Sequence, residues 1–182
     1  TLSRAVYKKD IRECGSGNPG FTNFKRSFGS RLAWVVFALD LGKAAIVVAL
    51  FASLFERRFG IWQFGAAYTG LIAVLGHAYP VWYGFKGGKG FLVGLSTAFV
   101  IDWRVGLLTM LIMVVLLLTT KYMSLSTVSA MLCCPVMLAL FGSAWQTVLV
   151  EACAVIFIAV RHRENFKRLA AGTESRFAFG SH

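Results

Sequence analysis

The chain has 182 residues, 57% of them hydrophobic and only 15% charged, with a mean hydropathy of +0.67 and a formal net charge of +11. So apolar a composition excludes an ordinary soluble domain and reads as a polytopic membrane protein, all-α, with a single integral-membrane domain over residues 1–182. The excess of Lys and Arg suits an anionic leaflet or anionic substrates, and no nucleic-acid partner is expected.

In chain order, Thr1 is not an initiator methionine, and nothing before Gly15 has the basic, apolar and small-residue regions of a secretory signal. The chain is therefore expected to begin partway into its gene product. The first polar stretch is "GSGNPGFTNFKR", residues 15–26. Its opening matches the G-x-G-x-x-G of dinucleotide-binding loops, with Asp40 at the distance of a ribose-binding carboxylate. That fingerprint needs a strand before it, and "AVYKKDIREC" has no strand alternation; Asp40 lies inside an apolar run, out of reach of a ribose. No dinucleotide or other cofactor is expected, nor a metal. What remains is the chemistry of the residues. Gly15, Gly17 and Gly20 let a backbone turn tightly around an anion, Ser16, Asn18, Thr22 and Asn23 add neutral donors, and Arg26 adds a planar charged one. A phosphate cradle and a plain polar turn at the membrane boundary both fit this stretch taken alone.

Six apolar runs approach the roughly 20 residues that cross a hydrocarbon core: 32–55, 61–79, 90–101, 105–120, 125–142 and 144–160. The third would rise only about 18 Å as a helix, so it must be tilted, buried by neighbours or met by a thinned bilayer. Asp40 and Lys43 stand at i and i+3 in the first run and are expected to pair, because a lone charge there costs about 3 kcal/mol. A structural and a catalytic role for that pair both stay open. His77, before Pro80, reads as a packed structural histidine. Glu151, alone in the last run, is expected to face the protein interior or to be protonated. Ser124, Ser126 and Thr127 either add a donor or cap a helix. Of the cysteines, Cys133, Cys134 and Cys153 fall in runs and Cys14 on the basic side, which makes reduced thiols the expectation.

Between the second and third runs lies "YGFKGGKG", residues 83–90. It fails as a Walker A loop, which would need glycine at Tyr83 and Ser or Thr at Gly90. Lys86 and Lys89 around Gly87 and Gly88, at the start of a helix, still favour phosphate. A positive anchor would explain the lysines but not the glycines. After the last run comes "RHRENFKRLAAGTESRF", residues 161–177. On one continuous helix, Arg161, Asn165 and Arg168 share a face, His162 and Asn165 stand at i and i+3, and Gly172 offers a stop. A basic juxtamembrane helix held to anionic lipid is the other reading.

Threading six spans puts only Arg57, Arg58 and Arg104 on one side and leaves Lys43 within a span; every other Lys and Arg falls on the opposite side. Positive charge is retained in the cytoplasm, so both termini and all three polar stretches are placed there. A shared anion site at that interface is the economical explanation. A transporter or channel for anionic metabolites is the alternative; it would want charge near the bilayer midplane, reachable from both sides. A basic scaffold binding anionic lipid would tolerate Ala at Asn18 or Asn165.

The stretches "CGSGNPGFTNFKRSFG", "GHAYPVWYGFKGGKG" and "RHRENFKRLAAGTE" resemble the three cytoplasmic signature regions of the bacterial acyl-phosphate:glycerol-3-phosphate acyltransferases, and "ALDLGKA" resembles that family's Asp and Lys pair. The resemblance covers nearly the whole chain. It implies a multi-pass protein of the bacterial cell (inner) membrane, with seven helices in the family against six here, so the first helix is expected to be missing. It implies transfer of a fatty acyl group from acyl phosphate to the 1-hydroxyl of glycerol 3-phosphate, giving lysophosphatidic acid and phosphate. Acyl phosphate, glycerol 3-phosphate and membrane lipid are the implied partners.

By the same resemblance Ser16, Asn18 and Arg26, with Thr22 and Asn23, bind substrate phosphate. Lys86, Lys89, Gly87 and Gly88 hold the acyl phosphate, and Lys89 stabilises the leaving phosphate. His162 and Asn165 orient glycerol 3-phosphate, and Arg168 supports the loop. Either His162 or the departing phosphate takes the hydroxyl proton, and the substrate-assisted route is favoured. Phe21, where the family commonly has a small residue, Leu92 and Val93, and the lack of glycine after Lys43 depart from the family pattern and are expected either to alter acyl-chain fit or to weaken activity.

Overall fold

The computed structural model describes residues 2–179; Thr1 and residues 180–182 lie outside it. The described residues form helices α1 (Leu2–Tyr7), α2 (Phe21–Phe28), α3 (Ser30–Phe59), α4 (Trp62–Ala78), α5 (Phe91–Ile101), α6 (Trp103–Thr120), α7 (Met123–Leu140), α8 (Trp145–Arg161) and α9 (Arg163–Ala170), with no strand among them. Each of the six apolar runs is one helix, α3 to α8. By length and composition α3, α6 and α7 suffice to cross a membrane, and the apolar α8 leads through a sharp bend into the short polar helix α9. The 17-residue α4 is shorter.

The ends follow local chemistry. Gly60, in the left-handed region at φ 69°, closes α3 by donating its N–H to Glu56 O at 2.9 Å. Asp102 separates α5 from α6: its carboxylate accepts the Arg104 N–H at 2.9 Å and meets the Arg104 guanidinium at 2.6 Å.

The short third run is explained by burial. α5, of 11 residues, packs against α3, α4 and α6 and also meets α7 and α8. Residues Val93 through Ala98 are all buried, which leaves α5 little lipid to face. Its hydroxyls stay inside the helix ladder: Ser96 Oγ donates to Leu92 O at 2.8 Å and Thr97 Oγ1 to Val93 O at 2.9 Å. The core around it is built from small and branched residues such as Val48, Ala52, Ala66, Val74, Val105 and Met131. Since α3 and α6 both pack on α5, a groove runs between them with α5 as its floor.

Glu151 of α8 is fully buried, facing the interior, and neither carboxylate oxygen has a hydrogen-bond partner among the described residues. Asp40 and Lys43 pair at 2.6 Å, and Lys43 Nζ also lies 3.3 Å from His77 Nδ1. At the polar end of the bundle a second, small core of Ile11, Phe24 and Ala33 holds α2 and its lead-in against α3, with Tyr7 stacked on Phe28 at 4.5 Å.

Candidate functional site

The first polar stretch is held in shape by Asn23. Its Oδ1 accepts the Ser16 N–H at 2.9 Å, while Nδ2 donates to Cys14 O at 2.9 Å and Ile11 O at 3.3 Å. Upstream, Asp10 takes salt bridges from Arg4 at 2.7 Å and Arg12 at 2.6 Å. Those bonds, led by Arg12, hold its carboxyl well below the usual range. Asn23 was expected to donate to substrate; here both amide hydrogens go to loop carbonyls, and the buried residue still borders the cavity. Ser16, Asn18, Thr22 and Arg26 line the cavity beside it.

The paired glycines of the second stretch also have another task. The Gly87 N–H donates to Ala78 O at 3.0 Å and the Gly88 N–H to His77 O at 3.2 Å. A Cβ at Gly87 would come within 2.1 Å of His77 O, and one at Gly88 within 2.1 Å of His77 Nε2. These glycines let the loop lie flat on the end of α4, and their N–H groups are spent there rather than offered to phosphate. Arg161 braces the same loop, donating from Nη2 to Gly87 O at 3.3 Å and Gly88 O at 3.2 Å. Lys86, Gly87 and Gly88 border a separate cavity of about 560 Å³, together with Arg12 and Lys43. From this stretch Lys89 and Gly90 reach the larger one.

The third stretch breaks where a continuous helix was expected. α8 and α9 meet at an angle of 54° across His162. Arg161 thus leaves the face it was expected to share and goes to the glycine loop, while Asn165 and Arg168 turn toward the cavity. His162 Nδ1 lies 2.8 Å from Ile158 O; a carbonyl only accepts, so Nδ1 carries the proton and Nε2 is left as an acceptor. Burial pushes the His162 imidazole down to about 4, so it is neutral at physiological pH.

One cavity of about 920 Å³ unites these parts. Lys89 Nζ donates to Asn165 Oδ1 at 2.5 Å, and Asn165 Nδ2 donates to Glu174 Oε1 at 2.6 Å. Glu174 also accepts from Ser124 Oγ at 2.8 Å and Arg168 Nε at 2.8 Å. Burial raises its carboxyl, but hydrogen bonds from Asn165, Ser124 and Arg168 outweigh that and hold it below its ordinary value. Burial lowers Lys89 to about 8, against the pull of Glu174 and with help from Arg168, Arg161 and Arg26. Glu174 is a site residue that the sequence reading passed over; the signal available was a lone carboxylate just past the Gly172 stop, in a strongly basic stretch.

The same cavity continues into the groove between α3 and α6. Trp34 and Phe37 form one wall, Met110, Met113, Val114 and Leu117 the other, and Phe91, Leu92 and Leu95 the floor. At 1.5 Å per residue, Met110 lies about 15 Å along α6 from the polar end. The arrangement sets a cationic head, chemically suited to anions, above an apolar groove with the shape of an extended chain.

Comparison with known proteins agrees over almost the full length. The family profile "Glycerol-3-phosphate acyltransferase" matches residues 1–172. A glycerol-3-phosphate acyltransferase of Synechococcus sp. (strain CC9902) is 40% identical over 167 residues, covering 92% of this chain and 81% of that protein. One from Aquifex aeolicus (strain VF5) is 38% identical over 168 residues, covering 92% and 85%. Among solved structures, PlsY (YgiH), an integral membrane glycerol 3-phosphate acyltransferase, superimposes in its glycerol 3-phosphate form with a TM-score of 0.87 at 35% identity, covering 98% of this chain and 88% of that one. Its lysophosphatidic acid form gives a TM-score of 0.84. The chain belongs to the glycerol-3-phosphate acyltransferase family of integral membrane proteins.

Proposed function

We propose that this protein transfers a fatty acyl group from acyl phosphate to the 1-hydroxyl of glycerol 3-phosphate, releasing lysophosphatidic acid and phosphate, at the cytoplasmic face of the bacterial inner membrane. The observation that carries the reading is the single cavity in which Lys89, Arg26 and Arg168 stand at the head of an apolar groove. Such a cavity matches a donor with an anionic head and an acyl tail, beside a second, small anion.

Two phosphate groups held together repel each other, and clustered cations offset that repulsion. Ser16, Asn18, Thr22 and Arg26 bind substrate phosphate. The start of α2 adds to them: the Phe24 N–H is the first to bond back within the helix, to Gly20 O at 3.0 Å, which leaves the N–H groups before it for an anion. Lys89 neutralises charge on the departing phosphate, oriented by Asn165. His162 Nε2 and Asn165 position the glycerol hydroxyl, and Arg168 holds α9 to Glu174. Asn23, Gly87 and Gly88 act indirectly by shaping the two loops, and Lys86 stands apart.

A neutral imidazole at about 4 is a weak base, which supports proton removal by the leaving phosphate rather than by His162. The hydroxyl oxygen bonds the acyl carbon, the bond from that carbon to the phosphate oxygen breaks, and the proton leaves with the phosphate. The test is phosphate release from acyl phosphate in membranes carrying the full chain, with and without glycerol 3-phosphate. Release that depends on glycerol 3-phosphate and equals the acylated product formed is expected; release that ignores the acceptor overturns the assignment.

A further inference from the structure

After Glu174 the chain turns back across the cavity. The Phe177 N–H donates to Lys121 O at 2.7 Å, at the turn between α6 and α7. One residue later Lys25 Nζ, on α2, donates to Ala178 O at 2.6 Å. Residues 175–179 thus form a strap joining the two sides of the cavity mouth. Ser175 and Arg176 are exposed, whereas Phe177 is half-buried and lines the cavity. Lys25 Nζ sits 4.4 Å from the centre of the Phe177 ring, which also stacks on Phe21 at 6.4 Å. Phe21 continues the contact to Trp34 at 5.1 Å and Phe37 at 5.6 Å, on the α3 wall of the groove. An unbroken aromatic surface therefore runs from the strap into the groove, over the place where polar head gives way to apolar channel.

That roof matters because acyl phosphate is a mixed anhydride that water attacks as well as alcohols. With glycerol 3-phosphate the acyl carbon passes to the hydroxyl oxygen and the hydroxyl proton leaves with phosphate. With water the same bond breaks, the oxygen of water takes the carbon, one proton leaves with phosphate and a free fatty acid results. We propose, resting on the function assigned above, that Phe177 determines acceptor specificity: latched between Phe21 and Lys25, it keeps bulk water from the acyl carbon so that glycerol 3-phosphate takes the acyl group.

The experiment measures both products, acylglycerol phosphate and free fatty acid, from acyl phosphate at fixed glycerol 3-phosphate in membranes holding the full chain. The readout is the ratio of hydrolysis to transfer. Once the hydrolysis seen in membranes lacking the protein is subtracted, loss of folded protein lowers both products and leaves that ratio alone. Phe177→Ala is expected to raise the ratio about tenfold, and Phe177→Leu to restore most of the parent value, since an apolar plug of similar reach remains. Lys25→Met keeps the Phe177 side chain but removes the ammonium that holds the ring and Ala178 O, so the ring is freed from its place and the ratio is expected to rise several-fold. If Phe177→Ala does not accumulate, Lys25→Met decides. A parental ratio in Lys25→Met, or in Phe177→Ala, overturns the role of Phe177. An inactive parent would instead sink the proposed reaction, a distinguishable outcome.

Discussion

Glu174→Gln removes one charge while keeping the size of the side chain, and so isolates what the carboxylate does for Lys89. The Asn165 amide bridges them, 2.5 Å from Lys89 Nζ on one side and 2.6 Å from Glu174 Oε1 on the other. The charges are then roughly 7 Å apart along that path, and at an effective dielectric of about 20 they attract by roughly 2 kcal/mol. Solvent and salt around a partly open cavity reduce this to about 1 kcal/mol, somewhat under one pKa unit. The carboxylate favours the ammonium, so its loss moves Lys89 down from about 8 toward neutrality. A cationic Lys89 is the form that holds anions, so activity falls as pH rises through its pKa. The alkaline limb of kcat/KM, which reports the free enzyme, is therefore expected to shift by a little less than one pH unit to lower pH in the variant. Phosphate release followed across the alkaline range measures it. A uniform drop in rate with the limb unmoved would refute the electrical link between Glu174 and Lys89.

Three further outcomes are expected. His162→Ala lowers kcat only a few-fold, and the parent lacks an acid limb near the ordinary imidazole value because His162 is already neutral down to about 4; complete loss of turnover with unchanged substrate binding would make His162 the base. Gly88→Ala drives a methyl group against His77 Nε2, lowering stability by about 1–3 kcal/mol and displacing Lys89, read as a reduced melting midpoint in detergent together with reduced activity. Glu151→Met replaces a buried carboxylate that has no hydrogen-bond partner among the described residues, and is expected to raise the melting midpoint with activity unchanged.

Hydropathy located the helices because lipid-facing and buried faces are both apolar in such a bundle. It misplaced the ends, since a helix continues into the polar boundary where hydropathy stops: the run 32–55 became Ser30–Phe59, with Arg31 and Arg57 inside the helix. Glycine carried two meanings that composition cannot separate. A backbone approaching a phosphate and a backbone approaching the end of a helix both forbid a Cβ, and at Gly87 and Gly88 the second applies. The bend at His162 had no proline or glycine to announce it. Glu174 was hidden for a related reason: its partners Ser124, Asn165 and Arg168 come from α7 and α9, and their convergence exists only after folding.

The helix least convincing as a span is the one that positions the chemistry. Lys89 reaches the cavity because α5 begins immediately after it, and Gly90, at φ 90°, makes the turn into that helix in a region that L side chains rarely adopt. A Cβ at Gly90 would also come within 2.9 Å of Val74 on α4. The Gly94 N–H is bonded to Gly90 O at 2.9 Å, so the helical ladder starts there and the positive end of α5 lies next to Lys89 in the chain. A helix long enough to cross the bilayer would not need five neighbours, yet α5 is enclosed by α3, α4, α6, α7 and α8. That enclosure fixes its N-terminus, and with it Lys89, at the head of the groove whose floor α5 also supplies. Cationic head and apolar channel are thus two ends of one short rigid element, and their separation is set by helix geometry rather than by a loop.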